Sequence, residues 1–507
     1  MWNSCTKINS FFFFLFVALL SKSDFLKLRP PSLNYIYRSS KVATTIPRYV
    51  CAPQSVVAWH GFKNDVNRLI WDDTPKYAHP TYAEIDKIGK ETDVQDAFYY
   101  NVLFPLNILL KLDQRDEVFA RSMYTGKKII GEPDFILRSN RELRLAIEVK
   151  TKWALPASNL VKTYTRNLVE CRSKISIIHP MEQIFGYLSY NQLQFGVLTT
   201  YDKTWFLCRN KENLGQVRIS PPIQYNDQMP TLFQCLFYLI HLSRNNHRCG
   251  TAPALPPISS PPSHLSNGEG ESIPLNFFNW GSFNTLSVLG EGRSGTVFKA
   301  ILHGEIVALK ICDLWQHPDY EKELHNEVKV YHALKGLQGD CIPRLKGAGY
   351  TAGGLFAIAT DIVGSPLEDV RSLSDQERLV IQRALSSIHC HGFVHNDIHE
   401  DNILIKRNGS QFYASFIDFT FSKHGSRHGF QNEMEALSSL LGSTVPLQQG
   451  SKDSWRPSAA SLKGSWTSID PIHRVQVTLG RKSLYIPGYW SKARAIQMGL
   501  GSLLRHL

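Results

Sequence analysis

Residues 394–404 read VHNDIHEDNIL, which sets His395, Asn396 and Asp397 side by side with Asn402 five positions beyond that aspartate. Further on, IDFT carries Asp418. This set suits transfer of a phosphoryl group, which needs a carboxylate beside the acceptor hydroxyl, an amide that binds metal, and a second carboxylate that holds metal against phosphates. Asp397 fits the first role, Asn402 and Asp418 the other two, and His395 fits a support beneath the loop.

Such chemistry also needs a grip on the phosphate donor. In LSVLGEGRSGTVFKAILHGEIVALK, Gly290, Gly292 and Gly295 fall between two alternating apolar runs, Val297 follows, and VALK ends at Lys310 on a predicted third strand. Because TVFKA continues as strand instead of opening a helix, the loop reads as a hairpin lid whose backbone can approach phosphates closely. Lys310 would then reach the α- and β-phosphates and needs an acidic partner. The segment DYEKELHNEVKVYHALKGL has helical periodicity with Glu323 and Glu327 one turn apart. Val328, Val330 and Leu334 mark the inner face, so Glu327 is the predicted partner; a solvated, charged helix is the plain alternative.

Glycine loop, lysine, helix glutamate, H-x-D-x-x-x-x-N loop and D-F-G position, in this order, resemble the protein-kinase-like fold over residues 283 to about 440. The resemblance implies ATP and Mg2+ as cofactors, Asp397 as catalytic base or acceptor-orienting residue, and Asn402 and Asp418 as metal ligands. Three departures bear on the acceptor. Asn396 stands where an arginine is usual, so a phosphorylated activation loop would find no guanidinium there. His399 stands where serine/threonine kinases carry a lysine, which also brings the stretch near aminoglycoside and choline kinases. Thr420 replaces the glycine of D-F-G, no A-P-E motif follows, and one amphipathic helix at NEMEALSSLLG implies a reduced C-lobe. A protein or a small molecule remains open as phosphoacceptor.

A second constellation lies in KKIIGEPDFILRSNRELRLAIEVKTKW, two strand-like runs joined by a polar turn. Asp134 enters the first run, and Glu148 and Lys150 share one face of the second. An Asp and a Glu on adjacent strands can bind a hard divalent cation, and a neighbouring lysine can orient water or stabilise phosphate charge. A surface hairpin with a salt bridge is the alternative. With Gly131 before Asp134, and Gln183 and Tyr187 one helical turn apart downstream, the motifs G-x-x-D, E-x-K and Q-x-x-x-Y resemble the RecB-like branch of the PD-(D/E)xK restriction-endonuclease-like superfamily. That resemblance implies Mg2+ or Mn2+ at Asp134 and Glu148, Glu91 or Glu84 as a further ligand from a helix within residues 82–110, and DNA as partner. Lys127, Lys128, Arg138, Arg141, Arg144, Lys152 and Lys162 would neutralise phosphates, or simply form a solvated basic surface. Gln183 and Tyr187 could equally pack beneath the sheet.

Both constellations need packed scaffolds, and 507 residues with 43% hydrophobic content suffice for two cores. The predicted fold class is α/β and α+β, with a restriction-endonuclease-like α/β core over 60–248 followed by a bilobal protein-kinase-like fold over 276–440. Pro, Ser and Gly make 249–275 a linker, while 24–59 and the basic, Ser-rich 441–507 read as loosely ordered. Lys7, the apolar run FFFFLFVALL and Ser21 and Ser23 suit a signal peptide over 1–23, a mistaken upstream exon or a tail. Ten apolar residues are too few for a stable membrane span. The 9 scattered cysteines read as reduced thiols of an intracellular protein; secretion and action in the cytoplasm or nucleus of a host cell is the other location. The net charge of +12 favours anionic partners, nucleic acid, nucleotide or membrane surface, with a basic surface that has no partner as the plain alternative.

The order of nuclease-like segment, linker and kinase-like segment resembles fungal and oomycete fusions related to Crinkler-type effectors. Three functions follow from the sequence: a phosphotransferase joined to a DNA-binding module, a DNA-cleaving effector with a nucleotide-sensing pseudokinase, or a scaffold with both sites inactive.

Overall fold

The computed structural model describes residues 19–36, 51–71, 73–74, 76–85, 87–122, 129–140, 142–169, 178–252, 264–266, 272–278, 283–351, 354–442, 474–479 and 482–487. Most of the expected leader and tail, the middle of the expected linker, and Lys127, Lys128 and Arg141 lie outside these residues. No helix among the described residues is long and apolar enough to cross a membrane.

The first half opens with α1 (Lys22–Leu26), β1 (Ser55–Ala58) and α2 (Phe62–Asn67). A helix then runs as α3 (Glu91–Phe98), a π-helical turn over Tyr99–Leu103, and α4 (Phe104–Leu112). Next come β2 (Val118–Arg121), β3 (Phe135–Ser139), β4 (Glu142–Val149), α5 (Leu160–Val169) and α6 (Ile178–Tyr190). The remainder is β5 (Phe195–Thr199), β6 (Lys203–Arg209), β7 (Gln216–Ile219), β8 (Ile223–Gln224) and α7 (Leu232–Asn246). The sheet order is β1-β7-β6-β5-β4-β3-β2, with β8 on β6; β3 and β4 are antiparallel, and β4 and β5 parallel.

Strand β4 alternates between two cores, as period two requires. Leu145, Ile147 and Val149 join the cluster of α3, α4 and α7, while Ala146 joins that of α5 and α6. Both faces are covered, so the strand reads as an almost continuous apolar run.

Three expectations about order change. The helix expected from residue 82 starts at Glu91, because the Asp93 carboxylate accepts from Gly89 N (2.9 Å) and Lys90 N (3.1 Å) and fixes the turn. Residues 24–59 are not uniformly loose: Phe25 and Leu26 are buried in the first core, and the Lys22 ammonium lies 2.6 Å from Asp113. Two apolar residues suffice for this anchoring, since a buried Phe or Leu contributes about 1.5–3 kcal/mol. Within the expected linker, β9 (His264–Ser266) pairs antiparallel with β10 (Ser272–Pro274), burying Leu265 and Ile273.

The second half begins with β11 (Asn276–Phe278), β12 (Phe283–Gly292), β13 (Gly295–Leu302) and β14 (Glu305–Asp313). Helix α8 (Tyr320–Ala333) and strands β15 (Leu345–Thr351) and β16 (Leu355–Thr360) complete a sheet of order β11-β15-β16-β14-β13-β12. A helical lobe follows: β17 (Ser365–Pro366), α9 (Asp375–Cys390), β18 (Phe393–Val394), β19 (Ile403–Asn408), β20 (Gln411–Phe416), β21 (Lys423–His424) and α10 (Arg427–Leu440). Ser374 and Glu377 form a reciprocal capping box that starts α9. The lobe's core joins Leu385 and Ile388 of α9 to Phe416 and Leu437.

One hydrophobic cluster crosses between the halves, packing Phe185, Tyr187 and Leu188 with Phe298, Leu309 and Leu355. Beyond residue 457 the chain forms a separate unit, in which β22 (Arg474–Leu479) pairs antiparallel with β23 (Lys482–Pro487).

Candidate active site

The glycine loop is the β12–β13 hairpin, closed by Gly292 opposite Gly295. Gly295 has φ +133°, and a Cβ there would lie 2.2 Å from Ile311 O, so the approach of β13 to β14 admits glycine alone. Gly290 faces open space, and Val297 pairs in register with Lys310. At the hairpin tip Arg293 pairs with Glu323, its guanidinium 4.6 Å from the ring centres of both Tyr320 and Phe421. The second helix glutamate therefore holds the lid, a role the sequence left unassigned.

Lys310 Nζ lies 2.9 Å from Glu327 Oε2 and 3.1 Å from Asp418 Oδ1. This is the predicted pairing, with Asp418 added. Burial opposes the Lys310 charge, but Asp418 and Glu327 outweigh it and keep its pKa above the ordinary lysine value. Burial likewise opposes the Asp418 charge; Lys310 and the Thr420 hydroxyl outweigh that and hold the carboxyl down at about 2. Asp418 is thus ionised throughout the physiological range.

The loop bearing Asp397 is built on Glu433 of α10. Oε2 accepts from His395 N (2.9 Å) and His389 Nε2 (2.8 Å), and Oε1 accepts from Asn396 N (2.6 Å). His395 is fully buried and donates through Nε2 to Ile417 O at 2.9 Å, supporting the loop from beneath as expected. Asn396 has φ +62°, a left-handed conformation that Asn tolerates well. Asn402 Nδ2 donates to Asp397 O (2.9 Å) and Oδ2 (3.2 Å). That leaves Asn402 Oδ1 as the side-chain atom for a cation. A neutral amide oxygen with the ionised Asp418 carboxylate fits a hard ion such as Mg2+. His399 Nε2 lies 3.6 Å from Asp397 Oδ2, and that carboxylate raises its pKa.

In the first half the structure brings Glu91, Asp134 and Glu148 together, each offering one carboxylate oxygen within 4.8 Å of the others. Of the two candidate helix ligands it is Glu91 that joins; Glu84 is exposed elsewhere. Lys150 Nζ lies 2.7 Å from Glu148 Oε1 and 2.9 Å from Glu91 Oε1. Asp134 is oriented by Gln95 Nε2 at Oδ1 and Val149 N at Oδ2, both 2.7 Å. Burial, with Asp134 nearby, pushes the Glu148 carboxyl well up, and Glu148 Oε2 has no hydrogen-bond partner among the described residues. Gln183 and Tyr187 do not reach this cluster through hydrogen bonds; Gln183 Nε2 donates to Tyr187 OH (3.1 Å), which donates to Asp313 Oδ2 (2.9 Å). Of the basic residues, Arg144 pairs with Glu142 (3.2 Å), and Lys152 lies over the Tyr35 ring (3.5 Å).

The two-part architecture of residues 283–440, with its bridging lysine and its Asp397–Asn402 loop, is that of a protein kinase domain, and these residues match the family described as Protein kinase domain. Such a domain implies ATP and Mg2+. A Dictyostelium discoideum protein described as Probable serine/threonine-protein kinase fnkE is 29% identical over 233 residues, covering 37% of this chain and 17% of that protein.

Four contributors escaped sequence reasoning: Asn326, Glu433, Gln95 and Asp313. Only Glu433 left a readable signal, since it shares one face of the amphipathic stretch NEMEALSSLLG with Leu437 and Leu441.

Proposed function

We propose that this chain is an ATP- and Mg2+-dependent phosphotransferase, with a serine or threonine hydroxyl, of another protein or of itself, as acceptor. The observation that carries this is Lys310 held between Glu327 and Asp418 by contacts of 2.9 and 3.1 Å. Lys310 would orient the α- and β-phosphates, Asp397 would position the acceptor hydroxyl and take its proton, and Asn402 and Asp418 would hold Mg2+. The bound ion supplies neutralisation of charge on the transferred phosphoryl group. His399 stands beside Asp397 where a lysine is usual, and the neighbouring carboxylate raises its pKa, which supports a protein acceptor; a small-molecule acceptor is the competing outcome. Calorimetric titration with ATP and Mg2+ tests the nucleotide reading. Saturable binding that is lost in Lys310→Met supports it, and no heat from the wild type counts against it.

A second reading, a nuclease-like module that binds a divalent cation and DNA, is favoured by one observation: three clustered carboxylates beside Lys150, with a buried, unpartnered oxygen on Glu148. Glu91, Asp134 and Glu148 would hold Mg2+ or Mn2+, and Lys150 would stabilise phosphate charge. The likeness to Crinkler-type fusions rests on the order of the two segments alone.

A further inference from the structure

The segment after Asp418 is held from two sides by uncharged polar groups. From α8, Asn326 Nδ2 lies 2.8 Å from Ser422 O, 3.1 Å from Thr420 O and 3.4 Å from Phe419 O. From the loop of Asp397, Asn396 Nδ2 donates to Phe421 O (2.9 Å), and Ser422 Oγ donates to His395 O (3.0 Å). Between these lies Thr420, 5% exposed. Its hydroxyl is hydrogen-bonded to Asp418, lies 3.2 Å from Glu327 Oε2 and is 3.5 Å from Lys310 Nζ.

A hydroxyl has one proton to donate and lone pairs to accept with, so Thr420 can donate to one of the two carboxylates while accepting from the Lys310 ammonium. Away from bulk water such bonds are strong, and removing one leaves charged groups poorly satisfied. A β-branched side chain also narrows the backbone freedom that glycine would have at this position. Asn326 and Glu327 are consecutive on α8, so one turn of helix fixes both the segment's carbonyls and the Lys310 partner.

We propose that Thr420 and Asn326 are positioning residues that hold Asp418 in its metal-facing place without a phosphorylated loop. The proposal rests on the phosphotransferase reading. Asn396 takes part on the same terms: its amide grips a backbone carbonyl where a guanidinium would grip a phosphate.

The test uses the full chain with Thr420→Val, Thr420→Ser and Asn326→Ala. It reads Mg-ATP affinity by calorimetry, amide exchange of residues 419–422 without nucleotide, and the split of kcat against KM for ATP. Thr420→Val should weaken Mg-ATP binding about tenfold, the effect of one buried charged-group hydrogen bond. It should also speed exchange at 419–422, while Thr420→Ser stays within about twofold of wild type on both readouts because it keeps the hydroxyl. Asn326→Ala should speed exchange, and phosphatase treatment should leave the wild-type rate unchanged. Wild-type binding with no change in Thr420→Val and Asn326→Ala overturns this proposal alone. Loss of wild-type activity on phosphatase treatment overturns it too, and absence of wild-type Mg-ATP binding removes the nucleotide reading and this proposal together.

Discussion

The Tyr187 hydroxyl donates to Asp313 Oδ2 at 2.9 Å, joining α6 of the first half to the last residue of the strand that carries Lys310. Asp313 also accepts from Glu132 N (2.8 Å) and Trp315 N (2.9 Å), and Gly131, at φ +79°, lets the tyrosine ring pass where a Cβ would lie 2.7 Å from it. The Q-x-x-x-Y tyrosine thus ties two segments together. Tyr187→Phe should destabilise the chain by about 1 kcal/mol and Asp313→Ala by about 2–4 kcal/mol, because the alanine strands three donors, the buried Tyr187 hydroxyl and two part-buried amides. Urea unfolding checks this; unchanged midpoints in both variants would contradict the tie.

The stability contributed by the charged groups around this contact should fall as pH rises. Its charged groups are Glu132, Asp313, His317 and the nearby Arg293. His317 Nε2 lies 3.1 Å from Glu132 Oε2, and that hydrogen bond raises the imidazole pKa against burial. Burial, with Glu132, raises the Asp313 carboxyl to about 6. Both groups hold protons more tightly folded than unfolded. The histidine contribution is therefore complete below its ordinary 6.5 and lost as pH passes the raised value, and that of Asp313 is complete below 3.8 and lost through about 6. The Tm gap between wild type and His317→Gln should shrink from about pH 6 to about pH 8. A gap that widens over that range would reverse the assigned sign.

Glu433 organises the loop of Asp397 through its backbone. Its carboxylate accepts three hydrogen bonds, two from backbone amides and one from His389, which together with burial's opposing effect leave its pKa lowered. Glu433→Gln turns an NH2 toward one of those donors, so we expect phosphoryl transfer to fall at least about tenfold and by more than Mg-ATP affinity, since Asp397 sits on the disturbed loop while Lys310 and Glu327 do not. Equal loss of binding and turnover would show global misfolding instead of a loop effect.

For the carboxylate cluster, Mn2+ titration of the full chain in the absence of nucleotide should show a site that disappears in Glu148→Gln. Plasmid nicking, if present, should need the metal and vanish in Lys150→Ala. Persistence of the same Mn2+ site in Glu148→Gln would assign the cation elsewhere.

The spacing of 290–297, Lys310, Glu327, 395–402 and Asp418 made this candidate site legible, because each motif is local and its strand or helix has a clear period. Asp134, Glu148 and Lys150 were legible for the same reason, and Glu91 followed as one of two helix candidates. What the sequence hid acts across the chain. Asn326 resembles any exposed helix amide until the segment after Asp418 folds against it, and Asp313 is an ordinary strand end until Tyr187 arrives. The β9–β10 pair was concealed by its Pro/Ser/Gly surroundings, in which Leu265 and Ile273 carry no period.

The most direct measurement is transfer of labelled phosphate from ATP with Mg2+ to protein, small-molecule and self acceptors, using wild type, Asp397→Ala and Lys310→Met. The account predicts wild-type labelling of a protein acceptor or of the chain itself, reduced by at least about a hundredfold in both variants. Equal labelling in all three would contradict it.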